Sequence, residues 1–506
     1  MARAKSLRNA TEPTLETDGL DNVGTFGTAT VLSRDSESIG DRMPWVFNIA
    51  YLCFLAFVSP VLLYRVIVRG KYRHGWREKL LGRLPPPPAG CEAPRIWLHA
   101  VSVGEVLQLQ SVLKLLRRSR PDCCFVITTT TSTGYAVARE KFPTDQVCYF
   151  PLDFSWSVRT AIRRIAPSAV ILVELELWPN FIFESKRAGV PLVLINGRMS
   201  ERSFRGYRRL RPLMGPLLDC FDRIAVQSET YKARLIELGA RAEKVEITGS
   251  IKFDDVETNR NNQQTQLLQS AFGIAENEPV FIAGSTQSPE EEYALDAWLE
   301  ARRRYPDLRL ILVPRHQERF EEVAKIIEAR GLPLLRRSLL ARGPATNTAD
   351  CQQRPAKAAT NPEASIPPVL LLDTLGELSA CWGLADIAFV GGSLTDRGGQ
   401  NMIEPAAYGA AVLFGPNTQN FRDVVELLLS SAAARVVHDQ TEMTATLVEF
   451  LDRPDAARQQ GELAKQLVLA QQGATGRTVV IIQSVIDKPV SNETKTIPGA
   501  VGPTAA

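Results

Sequence analysis

The stretch "IWLHAVSVGEVLQLQ", residues 96–110, places a carboxylate where chemistry can happen. An apolar strand runs to Val101. Ser102, Val103, Gly104 and Glu105 form a turn, and a helix follows with apolar residues at Val106, Leu109, Val112, Leu113 and Leu116. Glu105 has two readings. Ser102-x-x-Glu105 fits a capping box, in which the carboxylate accepts a backbone N–H at the helix start. A carboxylate there could instead take the proton of an attacking hydroxyl. A helix N-terminus favours the ionised form and so lowers its basicity. Gly104 lets a substrate approach the backbone closely. Two more acids, Glu174 and Glu176, follow the strand "SAVILV". Alternation puts both on one face at the carboxyl edge, where ligands bind in parallel sheets. Otherwise they are a solvated loop pair.

Cationic and small residues complete the set. "NGRMSERSFRGYRRLRP" (196–212) holds six arginines and one acid. Arg198, Arg202, Arg205 and Arg209 recur at helical spacing, as a solvated basic face, a nucleic-acid patch or a phosphate site would require. Lys252 falls at the junction of the two halves. Further on, "FIAG" leads into Gly284, Ser285 and Thr286 and then a helix start, which is an anion cradle in form. Glu290 and Glu291 in that first turn argue against a phosphate directly on the helix. Arg315 and His316 end the strand "LRLILVP", suited to a phosphate or a base edge; His316 could equally be a hydrogen-bonded structural histidine. Gly391, Gly392 and Ser393 end "ADIAFVGGS". A helix is expected after Gly399, with Asn401 in its first turn and Glu404 one turn later, and N–H groups there could hold a phosphate. Glu404 could also be an ordinary first-turn acid. Asn417, Asn420 and Phe421 close the loop "GPNTQNF".

These residues need elements to carry them. From Arg95, short β-rich runs alternate with helical stretches at 105–119, 132–141, 155–166 and 229–238. Such alternation means βα units on a parallel sheet. A second series begins at 279. The expected organisation is two Rossmann-like domains, 95–252 and 279–487, facing a cleft, joined by a linker at 253–278. Residues 341–367 read as a flexible insertion, and 1–43 and 488–506 as disordered tails.

The segment 44–68 contains "WVFNIAYLCFLAFVSPVLLY", about 20 uncharged residues, enough to cross a bilayer as a helix. A cleaved signal peptide is disfavoured by its distance from Met1, and a buried core helix by its flanks. Arg65 follows the apolar run, and Arg69, Lys71, Arg73, Arg77, Lys79 and Arg83 lie in the basic, Pro-rich stretch 69–94. The expectation is a single-pass anchor, domains on the cytoplasmic side, and contact with anionic lipids of the inner membrane. Net charge is only +3 over 506 residues, so any anion site is local. Four histidines, and eight cysteines without metal spacing, speak against a zinc enzyme.

Seven motifs occur in order: "HAVSVGE", "VELELWPN", "INGRMSERSF", "TGSIKFD", "GSTQSPEEE", "VPRHQERF" and "GGSLTDRGGQNMIEPAAYGAAVLFGPNTQNFRD". Together they resemble the bacterial 3-deoxy-D-manno-octulosonic acid (Kdo) transferases over roughly residues 45–485. The chain departs from the family at Gln400-Asn401-Met402 and at Gly249-Ser250. The resemblance implies a GT-B fold, CMP-Kdo as donor, a lipid A precursor as acceptor, inversion at the anomeric carbon, and neither cofactor nor catalytic metal. It implies Glu105 as general base and Glu404 as the ribose-binding acid. Ser102, Gly104, Glu176, Arg198 and Arg202 would then shape the acceptor side. Lys252, Gly284, Ser285, Thr286, Arg315, His316, Gly391, Gly392, Ser393, Asn401, Glu404 and Asn420 would shape the donor side. The alternatives are another GT-B enzyme acting on UDP-sugars, a nucleotide-sugar epimerase, or a membrane scaffold that has lost catalysis.

Overall fold

The computed structural model describes residues 47–49, 51–53, 57, 75–86, 93–340 and 366–487. The tails 1–43 and 488–506, and nearly all of the insertion, lie outside the described residues.

Two seven-stranded sheets form, and every pairing in them is parallel. The first contains β1 (Arg95–His99), β2 (Cys124–Thr129), β3 (Gln146–Tyr149), β4 (Ala169–Val173), β5 (Leu192–Gly197), β6 (Arg223–Val226) and β7 (Val245–Ile247), in the order 3-2-1-4-5-6-7. The second contains β8 (Val280–Thr286), β9 (Arg309–Pro314), β10 (Leu334–Arg336), β11 (Val369–Leu371), β12 (Ile387–Val390), β13 (Ala411–Phe414) and β14 (Ala434–Val436), in the order 10-11-9-8-12-13-14. Central strands such as "AVILV" of β4 are buried throughout because helices cover both faces. This is the GT-B pair of Rossmann-like domains that the motifs imply. Local signals set many helix starts. Ser102, Thr131 and Ser228 each accept an N–H from the first turn of the helix they open.

The connections between the domains differ from the simple linker reading. Gln263–Phe272 is a helix, and its Leu268 and Phe272 join the second domain's core. Asn262 caps it through the N–H of Thr265. The last helix, Ala474–Ile486, crosses back to the first domain. Its Val479, Ile481, Ile482 and Val485 pack with Ile96, Leu98, Val193 and Ile195 of the first sheet. Asp254 holds the start of that helix by accepting the N–H groups of Gly473 and Thr475, and Arg477 donates to the Thr248 carbonyl at 2.9 Å.

The transmembrane anchor needs correcting. Among the described residues no helix is long and apolar enough to cross a membrane. The described start of the apolar segment packs on the first domain instead. Asn48 is 3% exposed. Its amide donates to Ser155 Oγ at 2.8 Å and accepts from Ser155 N and Asn180 Nδ2. Phe47 stacks on Phe183, and Tyr51 meets the edge of Phe154. An amide with three protein partners has a reason to sit there that lipid could not supply. The single-pass inner-membrane location falls with the anchor. The rest of that segment lies outside the described residues.

Asp254→Ala should loosen the return of the last helix. Loss of such a cap costs about 1 kcal/mol, so calorimetry should show a lower unfolding temperature with the secondary structure intact. An unchanged melting temperature would remove Asp254 as a tether.

Candidate active site

At the end of β1 the chain turns, and Ser102 caps the helix Val103–Ser119. Ser102 Oγ accepts Glu105 N at 3.4 Å and donates to Glu105 Oε1 at 2.8 Å. The N–H of Val101 donates to Oε2 at 2.8 Å. The capping reading is therefore real, though the carboxylate reaches Val101 rather than the backbone of Ser102. Glu105 is only 7% exposed. Burial pushes its carboxyl above the ordinary value; the hydrogen bonds from Ser102 and Val101 oppose this, and Glu174 adds to it. Burial thus offsets the acidifying helix terminus. Gly104 is exposed, and a Cβ there would meet only Ser102 Oγ at 3.9 Å.

Glu174 and Glu176 join this corner from β4. Glu174 takes a positive φ of 61° and accepts Arg198 Nε at 2.9 Å. Glu176 accepts the indole N–H of Trp178 at 2.9 Å. Trp178 leans on Phe150, which stacks on the buried His99. Burial first, then the negative charges of Glu105 and Glu174, push Glu176 up to about 7, against the Trp178 hydrogen bond. Asn196, at the end of β5, escaped the sequence reading. It is fully buried, donates to Gln108 at 2.6 Å and accepts the N–H of Ile251. It ties the Glu105 helix to the interdomain crossing. Its only signal was a polar residue ending an apolar run.

The two domains meet beside these acids. Tyr231 of the first donates to Asp423 of the second at 2.5 Å. A cavity of about 380 Å³ opens there, lined by Arg198, Tyr231, Arg234, Lys252, Phe421 and Asp423 among others. Burial, then the nearby Arg198, lowers the Lys252 pKa; Glu174, Asp423 and Glu105 pull it back. Arg202 is exposed on the helix Glu201–Arg208 and does not line this cavity. Part of the basic stretch is paired: Arg198 with Glu174, Arg205 with Glu201, and Arg208 with Glu237.

On the second domain, Gly284 packs so tightly that a Cβ would strike Trp382 at 2.5 Å. Ser285 has a positive φ of 55° and, like Thr286, is buried. The N–H groups of Gly392, Ser393 and Leu394 all donate to Glu290. They are filled from inside, so Gly391, Gly392 and Ser393 do not offer the open phosphate cradle that their residue types suggest. Ser393 is fully buried; its hydroxyl donates to Val390 O and accepts Gly415 N. The helix expected just after Gly399 begins only at Ile403 and ends at Ala407. Asn401 accepts the N–H of Ile403 at 3.1 Å and donates to Glu404 at 2.9 Å. Burial raises the Glu404 pKa, while Asn401 and the charge of Arg315 lower it. Arg315 and His316 are exposed at the end of β9. Asn420 donates to the carbonyls of Arg397 and Gly399, bracing that loop.

The description 3-deoxy-D-manno-octulosonic-acid transferase (kdotransferase) matches residues 74–255, the domain that holds the three acids. A 3-deoxy-D-manno-octulosonic acid transferase from Haemophilus influenzae is 30% identical over 450 residues, 87% of this chain and 99% of its own. This chain belongs to that family. A second such transferase, from Bordetella pertussis, is 34% identical over 78% of this chain and 87% of its own. A solved UDP-GlcNAc 2-epimerase from Neisseria meningitidis aligns over 77% of this chain and 100% of its own with a TM-score of 0.51 at 10% identity, a likeness of fold alone. The protein is thus an enzyme, a Kdo transferase, with its acids in the first domain and its glycine loops in the second.

The raised Glu176 has a measurable consequence. Its native pKa lies above the unfolded value, so the folded state holds the extra proton. Stability should therefore fall as pH rises from the ordinary carboxylate range through about 7. Glu176→Gln should flatten that fall and melt higher than wild type at pH 8. Identical melting profiles from pH 5 to pH 8 would show that Glu176 does not titrate in this way.

Proposed function

We propose that this Kdo transferase moves Kdo from CMP-Kdo to a hydroxyl of a lipid A precursor, with inversion and release of CMP, in the building of the lipopolysaccharide inner core. The observation that carries the mechanism is the placement of Glu105. It is a buried carboxylate with one donor on each oxygen, and its charge is felt by Glu176 and Lys252. Each oxygen keeps a lone pair for the substrate. The acceptor hydroxyl gives its proton to Glu105 while its oxygen bonds to the anomeric carbon of Kdo. The bond from that carbon to the CMP phosphate oxygen breaks on the opposite face, and CMP leaves with the electron pair. Glu176, near neutrality, shapes the acceptor pocket without adding a full second negative charge.

Arg198, held by Glu174, and Lys252 serve the phosphate or carboxylate groups that meet between the domains. Arg315 and Glu404 take the nucleotide, the acid on its ribose and the guanidinium on its phosphate. Gly284, Ser285 and Thr286 give that side its shape, and His316, Asn401 and Asn420 its rim. Closure over the cavity excludes water that would otherwise hydrolyse the donor.

Glu105→Gln keeps the local fold, because its amide oxygen can accept Val101 N–H and its NH2 can donate to Ser102. The variant should lose about 10²–10⁴-fold in kcat with KM for CMP-Kdo unchanged, assayed on a tetraacylated lipid A precursor in micelles. Activity within tenfold of wild type would leave Glu105 as a cap and move the base role to Glu176.

The acceptor is a lipid, and the first domain has an edge to meet it. Trp76, Leu81 and Trp156 are more than 40% exposed, Trp156 donates to the Leu80 carbonyl, and Arg77 and Arg83 lie exposed beside them. Aromatic and basic residues together suit an anionic headgroup layer. Arg77→Glu with Arg83→Glu should weaken co-sedimentation with phosphatidylglycerol vesicles and leave the soluble melting temperature alone. Equal sedimentation of variant and wild type would dismiss this edge.

A further inference from the structure

Glu290 is fully buried at the start of the helix Glu290–Arg302, the place where the sequence suggests an anion cradle. Its Oε2 accepts Gln287 N at 2.9 Å and Gly392 N at 2.7 Å. Its Oε1 accepts Ser393 N at 3.0 Å and Leu394 N at 2.9 Å. Four N–H donors on one carboxylate is the arrangement by which a backbone nest holds an anion. Here the anion is part of the chain.

We propose that Glu290 is a positioning residue for donor binding, whose carboxylate gathers the loops after β8 and β12 into one rigid seat for the nucleotide. The proposal rests on the donor-side reading above. Its support is the network that starts at this carboxylate. Gly391 brings the two strand ends into contact: a Cβ there would lie 2.5 Å from Thr286 Cα and 2.8 Å from Glu290 Oε2. From the Gly392–Leu394 turn the bonds run outward. Gly392 O accepts Gly399 N at 2.7 Å, and Ser393 O accepts Asn417 N at 2.9 Å. Asn420 then clamps Gly398 through its own N–H, and Arg397 and Gly399 through its side chain. Asn401 and Glu404 follow directly in the chain. On the other side Thr286 O accepts Arg315 N at 3.0 Å. Arg315, Asn401, Glu404 and Asn420 are all hung from the seat that Glu290 holds. Among the described residues no ion pair is formed by Glu290, so its charge is balanced by the four N–H dipoles, and moving any of them leaves a buried anion short of donors.

The test uses the full-length enzyme, with KM for CMP-Kdo and for the lipid acceptor measured separately. Glu290→Gln keeps the shape but turns an NH2 group toward N–H donors. It should raise KM for CMP-Kdo by about tenfold or more and leave KM for the acceptor within about twofold, a split that general destabilisation would not produce. Glu290→Asp keeps the charge but withdraws it by one methylene; it should shift the donor KM in the same direction by a smaller factor, and serves if the glutamine variant does not fold. Unchanged donor KM in the folded variants, or donor and acceptor KM rising together, would overturn the proposal. Glu404→Ala separates it from the reading beneath. If Glu404→Ala raises the donor KM and the Glu290 variants do not, only the positioning role is wrong. If neither does, the donor-side reading falls too and takes the proposal with it. If only the Glu290 variants do, the seat stands and the ribose contact does not.

Discussion

A parallel sheet delivers every strand's outgoing loop to one edge, and this chain builds two such sheets. Everything chemical in the protein follows from that constraint. Glu105 follows β1, Glu174 and Glu176 follow β4, and Arg198 follows β5. Gly391 and Glu404 follow β12, and Arg315 follows β9. None of these residues is near its partners in sequence except Glu174 and Glu176. Strand direction puts each of them at the carboxyl edge of its sheet, and the Tyr231–Asp423 contact joins the two domains.

The two domains handle negative charge in different ways. In the first, three carboxylates crowd one corner. Glu174 is matched by Arg198, while Glu105 is held above its ordinary pKa by burial and the charge of Glu174, and Glu176 by burial and the charges of Glu105 and Glu174. Burial and like charge together favour the protonated form there. In the second, Glu290 is as buried as any of them, but four backbone donors surround it. The same side chain meets like charge in one setting and backbone donors in the other. Burial raises the Glu290 carboxyl too, against the four N–H bonds; the settings differ in donor count and nearby charge, not in residue type.

Much of this was legible in the sequence because it is local. Runs such as "AVILV" and "VFIAG" announce buried strands, and Ser102 and Ser228 announce helix starts. Glu105 stood out because a charged residue at a strand-to-helix turn needs a reason. What escaped was set by distance along the chain. Nothing near Tyr231 points to Asp423, 192 residues away. Glu290 was read as an acid set against a bound phosphate, but most of the N–H groups it satisfies lie about a hundred residues on. The apolar stretch after Trp45 has the length of a membrane span, and length outweighed its one telling residue, Asn48, whose amide belongs in a polar pocket of the first domain. The ion-pair partners of the basic stretch 196–212 were hidden for a related reason. Helical spacing showed the arginines but not Glu174 or Glu237, which arrive from other elements.

The return of the last helix also bears on how the protein is made. Val479, Ile481, Ile482 and Val485 cover apolar residues of β1 and β5, strands that leave the ribosome far earlier. Each of those side chains contributes about 1.5–3 kcal/mol when fully buried. Until nearly the whole chain has been synthesised, the first sheet must wait with one face incomplete, in the exposed state that chaperones recognise. A nascent chain stalled before Ala474 would hold every acid of the catalytic corner and still lack part of the wall behind it.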